Sequence, residues 1–194
     1  MDIPGLTSPA ACRTLAELAA AVPADQAVVE IGVFRGRSLC ALAAGAAAGH
    51  GARVWGVDPW DLPGNEPPAY RGGSKRTRAA RATFNAAATR EAAGEAVAAA
   101  GLSDRVTLVR GFSTAVAAGW AGPPVGLLHV DGDHTAAGRD VAAWWPHVAE
   151  DAVIAVDDYS ARFPAVVRDV DALAAGGMAL QVRHGRLAIL RRPA

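Results

Sequence analysis

The sequence predicts an α/β protein, a doubly wound and mostly parallel sheet with helices on both faces. Three observations carry that prediction. Short apolar runs alternate five times with alanine-rich helical stretches. The first such unit, Val28–Ser38, reads VVEIGVFRGRS, an apolar run that ends in an acid and passes through a glycine-spaced turn into a helix. Later runs end the same way at Asp58, Asp131 and Asp157, and open parallel sheets bind ligands at those carboxyl ends.

Composition bounds the rest. A chain of 194 residues fits one domain over residues 1–194, long enough to bury about 70% of its unfolded surface in a single core. Nineteen basic and nineteen acidic residues cancel, so no global field draws nucleic acid or an anionic membrane, and the expected partner is a small molecule. No uninterrupted apolar run approaches the ~20 residues of a membrane span. The opening MDIPGLTSP lacks a basic start and an apolar signal core, which points to a cytoplasmic protein. Cys12 and Cys40 are too few for a disulfide framework or a zinc knuckle and read as buried thiols.

Taken in order, Ser8–Val22 reads as a helix with Ser8 as N-cap and Pro9 at its first position, carrying Leu15, Leu18, Ala19 and Val22 along one side. It is expected to cover one edge of the sheet, with residues 1–26 as a helical cover. Ala27–Ile31 is a buried strand, and Arg37–Ala48 has helix formers and no proline. Between them Gly32 and Gly36 admit positive φ and the close approach of a ligand. Glu30 can accept hydrogen bonds from a cationic or hydroxylated ligand. The spacing is not the dinucleotide pattern G-x-G-x-x-G, because Val33 and Phe34 stand where its second glycine belongs. Arg53–Asp58 is a second strand, at whose end Asp58 is either a ribose-hydroxyl acceptor or a turn aspartate before Pro59.

Residues 60–73, WDLPGNEPPAYRGG, are too irregular for a helix or a central strand. They form either a lid, with Trp60 or Tyr70 closing over substrate, or a passive insertion. Ser74–Ala100 follows as a long helix with a break near Gly94, and the basic stripe Arg71, Lys75, Arg78 and Arg81 reads as a solvated face. Arg105–Arg110 is the third strand, leading to Gly111-Phe112-Ser113, which could hug an adenine edge, and to a short helix toward Trp120. Gly126–Val130 runs into Asp131-Gly132-Asp133-His134 and a helix over Ala136–Val148. Ala152–Val156 stops at Asp157-Asp158-Tyr159, and Phe163–Ala175 is the last helix. Met178–Val182 and Leu187–Leu190 flank His184-Gly185, a pair suited to an antiparallel hairpin.

The acids at the strand ends form a constellation. Strands four and five are expected to be neighbours, so Asp131, Asp157 and Asp158 could converge, and three close carboxylates do not all ionise without a cation. No basic residue lies within their own motifs. All-oxygen ligation suits Mg²⁺ or Mn²⁺ better than zinc, while a strand-end turn with one aspartate capping the next helix is the alternative. His134 beside these aspartates is a ligand, a base, or a side chain that orients one.

EIGVFRGRS, GVDPW, HVDGDHT and AVIAVDDY, in that order and at β-α spacing, resemble the small bacterial class I S-adenosylmethionine (SAM)-dependent methyltransferases related to the macrocin O-methyltransferases. The resemblance spans roughly Val28–Val170. It implies a seven-stranded, Rossmann-like sheet into which the C-terminal hairpin fits, and methyl transfer to a hydroxyl of a small molecule such as a natural-product sugar. It also implies that Glu30, Gly32, Gly36, Ser38, Asp58 and Ser113 contact SAM. Asp131 would serve both cofactor and metal, with Asp157 and Asp158 as the other metal ligands. Asp133 becomes the candidate general base, with His134 second. A small-molecule acceptor is then the partner, and a homo-oligomer is compatible with it. Two other classes fit the same architecture: an NAD-dependent oxidoreductase, which leaves the acidic trio idle, and a metal-dependent hydrolase or non-catalytic binding protein.

Overall fold

The structure is a computed structural model that describes residues 3–60 and 86–191. Most of the expected lid, including Tyr70, the basic stripe and the first part of the helix expected from Ser74 lie outside the described residues. The described elements are α1 (Pro9–Ala20), β1 (Ala27–Ile31), α2 (Arg37–Ala48), β2 (Arg53–Asp58), α3 (Ala86–Ala99), β3 (Val106–Arg110), α4 (Ser113–Ala118), β4 (Val125–Val130), α5 (Ala137–Trp144), β5 (Val148–Val156), α6 (Pro164–Ala175), β6 (Ala179–Arg183) and β7 (Leu187–Arg191).

The seven strands form one sheet in the order β3-β2-β1-β4-β5-β7-β6. Five are parallel, and β7 runs antiparallel between β5 and β6. The connection direction reverses between β1 and β4, the switch point where open α/β sheets hold their ligands. Residues on the strands alternate between two cores, as a pleated sheet requires. Val28, Leu127, Ala155 and Ile189 face α1, α2 and α3, while Val29, Leu128, Ile154 and Leu190 face α5 and α6.

Four expectations are corrected here. Helix α1 lies over a face of the sheet and not its edge, because Gly45 of α2 and Gly49 at its C-cap open a groove for it. A Cβ at those positions would stand 2.1 Å from the Ala16 carbonyl oxygen and 2.0 Å from that of Ala20. Helix α5 stops at Trp144 and gives way to a short 3₁₀ turn over Trp145–His147, since Pro146 has no N–H to continue an α-helix and its ring crowds the carbonyl four residues back. Strand β5 therefore starts at Val148, four residues before the expected Ala152. Gly94, expected to break a helix, lies within α3.

Ser8 caps α1 as expected, its hydroxyl accepting from Ala11 N–H at 3.1 Å. His184 and Gly185 make the hairpin turn with φ of +53° and +72°. Cys40 is buried, its thiol pushed up to about 11 by burial and then by Glu30, whereas Cys12 is only half-buried. Among the described residues no helix is long and apolar enough to cross a membrane.

Candidate active site

The turn from β1 to α2 alternates left-handed residues, with φ of +88° at Gly32, +52° at Phe34 and +82° at Gly36. Gly32 has no space for a side chain: a Cβ there would stand 2.3 Å from the Asp131 carbonyl oxygen. The glycine turn and the loop after β4 therefore touch backbone to backbone. Phe34 carries a Cβ in the same region, a strained arrangement that needs an external hold. Asp58 at the end of β2 provides it, for its Oδ2 accepts from Val33 N–H at 2.9 Å and Phe34 N–H at 3.0 Å. Its Oδ1 accepts from Trp60 N–H at 2.7 Å. Burial raises the Asp58 pKa, and those three N–H donors work against the rise.

Trp60, expected as part of a lid, instead plugs the core beneath this turn at 1% exposure, with its indole N–H donating to the Phe34 carbonyl at 3.1 Å. Gly36 precedes α2 without a side-chain cap, and a helix start is a place that favours an anionic ligand group. Ser38 is buried in the helix's first turn.

Glu30, expected to contact SAM, is fully buried, and its Oε1 accepts from His129 Nδ1 at 2.9 Å across the β1–β4 pair. Burial alone lowers the His129 pKa, but the hydrogen bond and charge of Glu30 more than reverse this, and the net direction is upward. The pair ties β1 to β4 directly beneath the switch point.

Ser113 opens α4 with its hydroxyl turned inward, accepting from Trp144 Nε1 at 3.0 Å and donating to Asp140. Asp140 is itself buried, and burial pushes its carboxyl up to about 6 despite the Ser113 bond. Its Oδ2 lies 4.0 Å from where a Gly132 Cβ would stand, so it supports the loop after β4 from below.

That loop and the one after β5 bring the acids together. Burial first, and the Asp157 charge second, push the Asp131 pKa well above the usual carboxylate range, as expected of carboxylates held close. Asp133 Oδ1 accepts from both the backbone N–H and the hydroxyl of Thr135, at 2.9 and 2.8 Å, which fixes the carboxylate, and among the described residues Oδ2 has no hydrogen bond. Asp158 adopts a left-handed φ of +62°. This turns its side chain toward His134, whose Nε2 lies 2.5 Å from Asp158 Oδ2. The imidazole stacks on Phe163 with ring centroids 4.1 Å apart.

The premise for an obligatory metal does not hold. Arg186, in the turn between β6 and β7, puts its Nε 3.0 Å from Asp157 Oδ1 and its Nη2 3.1 Å from Asp157 Oδ2. The same Nη2 is 2.6 Å from Asp158 Oδ1. Asp157 Oδ1 also accepts from Asp158 N–H at 2.8 Å. All four oxygens of Asp157 and Asp158 are thus bonded to protein donors, and a hard ion that needs several oxygens at about 2.0–2.6 Å does not fit this donor set. Among the described residues no group of three or more His, Cys, Asp or Glu side chains is placed to hold a metal ion. The charges of Asp157 and Asp158 both act on Asp131, but a guanidinium serves two of these three expected ligands.

Sequence reading missed His129, Asp140 and Arg186. His129 sits inside an apolar strand, Asp140 in a helix with no motif of its own, and Arg186 enters only because β7 inserts beside β5.

A seven-stranded sheet with this order and a reversed β7, a glycine turn after β1 and acids after β2 and β4 define the class I methyltransferase fold. A family model described as a methyltransferase domain matches residues 29–159. The chain belongs to that methyltransferase family, and its reaction is SAM-dependent methyl transfer, which replaces the oxidoreductase alternative. No curated protein sequence matches it.

Among solved structures it is similar to the O-methyltransferase NovP, with a TM-score of 0.73 at 22% identity over 94% of this chain and 78% of that one. Cofactor-bound Rv0187 from MTB gives 0.71 at 22% identity, covering 96% and 81%. The SAM complex of TomG from Streptomyces achromogenes, an O-methyltransferase of tomaymycin synthesis, gives 0.67 at 18%, covering 97% and 82%. At these identities the likeness shows the fold.

Proposed function

We propose that this chain transfers the methyl group of SAM to the hydroxyl oxygen of a small molecule, with Asp133 accepting the proton. The carrying observation is the contact between the Gly32 turn and the Asp131 backbone, which sets the expected cofactor turn directly against the acid-bearing loop. Displacement on a sulfonium methyl needs little beyond alignment and a proton acceptor, so geometry of this kind is most of what the protein must supply.

Asp133 suits the acceptor role because Thr135 fixes one oxygen and leaves the other open. His134 suits it less: Nε2 is taken by Asp158, and Nδ1 is buried without a partner. The imidazole therefore acts as a positioning group for Asp158 and the loop. Asp58, the glycine turn and the uncapped start of α2 would hold SAM, the last through its carboxylate. Two structural neighbours, the calicheamicin methyltransferase CalS11 and TomG of tomaymycin synthesis, support a natural product as acceptor.

The test is to incubate the protein with SAM and panels of sugar alcohols, phenols, amines and carboxylic acids, reading S-adenosylhomocysteine and the methylated product by mass spectrometry. A methyl ether is the expected product, and Asp133→Asn should lower kcat by about 10²–10⁴ while retaining S-adenosylhomocysteine binding. Turnover confined to amines or carboxylic acids would overturn the O-methyl reading.

A further inference from the structure

We propose that Arg186 is the resident counter-cation of this site, a guanidinium standing where a divalent ion would otherwise bridge Asp157 and Asp158, so that methyl transfer proceeds without a divalent metal. The proposal rests on the O-methyl reading above. The carboxylates converge and something must neutralise them, and the cation comes from a turn remote in sequence.

The fork of Arg186 is laid on Asp157 through both of its oxygens and reaches Asp158 with the same Nη2. Planar, two-point recognition of carboxylates is what a guanidinium does better than an ammonium. Its placement is built into the hairpin. Arg186 O accepts from Tyr159 N–H at 2.8 Å, which pins the turn to the loop after β5. At the tip, Thr14 Oγ1 and His184 Nε2 are 2.9 Å apart, which fastens the turn to α1. Hydrogen bonding to Asp157 raises the Arg186 pKa further, so the charge is permanent at any working pH.

The side chain is 42% exposed, and Nη1 has no partner among the described residues. Nη1 is therefore free to donate to an acceptor oxygen. In the reaction the O–H proton passes to Asp133 Oδ2, the O–CH₃ bond forms, and the CH₃–S bond breaks with its electron pair remaining on sulfur. Arg186 offsets the charge that develops on the oxygen. A guanidinium assists an oxygen that is already acidic, so the acceptor class this site suits is a phenol or enol more than an alcohol.

The deciding measurement is a Mn²⁺ titration followed by electron paramagnetic resonance on the intact protein and on Arg186→Ala, which needs no acceptor and so stands apart from the methyl-transfer reading. The wild type should leave Mn²⁺ free, and Arg186→Ala, with its carboxylates released, should gain a bound ion. Activity on the best acceptor should be unchanged by EDTA in the wild type. It should fall by about 10²–10³ in Arg186→Ala, as for loss of a preorganised donor, and be partly recovered by Mn²⁺ or by the conservative Arg186→Lys. Tight Mn²⁺ binding by the wild type, or loss of its activity in EDTA, would overturn the proposal even if the variants fail to fold. If no acceptor is methylated while the Mn²⁺ results hold, the O-methyl reading fails and the assignment of Arg186 as counter-cation stands.

Discussion

Asp140 gives the sharpest quantitative expectation, because its burial changes the number of protons the folded chain holds. Buried beneath the loop after β4, its carboxyl titrates at about 6 where an exposed one titrates at 3.8. That difference corresponds to about 3 kcal/mol between the protonated and ionised forms. The sign follows from proton counting: between the two values the folded chain holds a proton that the unfolded chain has released, so stability falls as pH rises from about 4 to about 6. Above that window the full cost of the buried charge is present. Asp140→Asn keeps an oxygen to accept from Ser113 and removes the charge. The variant should therefore be more stable than the wild type by up to about 3 kcal/mol near pH 7.5, with the gap closing toward pH 4. Urea unfolding across that range, with S-adenosylhomocysteine affinity measured on the same preparations, provides the assay. Parallel pH profiles for the two proteins would refute the reasoning, since they would mean that Asp140 is not desolvated in the fold.

Three further expectations concern the strand ends. Asp58→Asn places an amide N–H₂ against one of three backbone donors, so calorimetry should show S-adenosylhomocysteine binding weakened by about tenfold to a hundredfold, the worth of one charge-assisted contact; unchanged affinity and unchanged stability together would remove Asp58 from the site. His129→Leu strands Glu30 as a lone buried charge and should cost about 3–5 kcal/mol by denaturant titration, with Glu30→Leu in the same chain restoring most of it. Because the His129 pKa is raised in the fold, that pair's contribution should be complete below about pH 6.5 and lost as pH rises through the folded value. Asp131→Asn should weaken S-adenosylhomocysteine binding by a similar tenfold to hundredfold and flatten its dependence on salt, and binding that keeps the wild-type salt slope would count against the assignment.

The sheet and its order of elements were legible because hydrophobic periodicity and glycine punctuation are local signals, and the acids at Asp58, Asp131 and Asp157 mark strand ends in the sequence itself. The site was legible only as far as those motifs carry. Asp58 was read as a ligand contact, yet its three bonds go to the turn that would present the ligand. Glu30 looks like a cleft residue from its place before Gly32, but one position along a strand separates the pocket from the core, and His129 across the pair claims it. The long reach of Arg186 is invisible to spacing arguments, for it depends on β7 entering the sheet beside β5 and not at its edge. Trp60 begins an irregular stretch in sequence and is still a core residue, because its indole fills the space under a strained turn.

These pairings also explain where a cationic cofactor should lie. Glu30 is matched by His129, Asp157 and Asp158 share Arg186, and Asp158 also holds His134. Asp58 carries no cation, but three backbone N–H groups surround its oxygens. Asp131 differs from all of these. Among the described residues its side chain is met by the Thr7 hydroxyl at 3.5 Å, a contact too long to neutralise a carboxylate. The loop that bears it is pressed against the Gly32 turn, so a carboxylate with neither a cation nor a set of short N–H bonds among the described residues sits on the loop that touches the turn expected to hold SAM. SAM carries two positive centres, its ammonium and its sulfonium, and S-adenosylhomocysteine keeps only the first. An ammonium beside Asp131 supplies the missing charge in both, which is why the product is expected to bind nearly as well as the substrate and why removing the Asp131 charge should be felt by either.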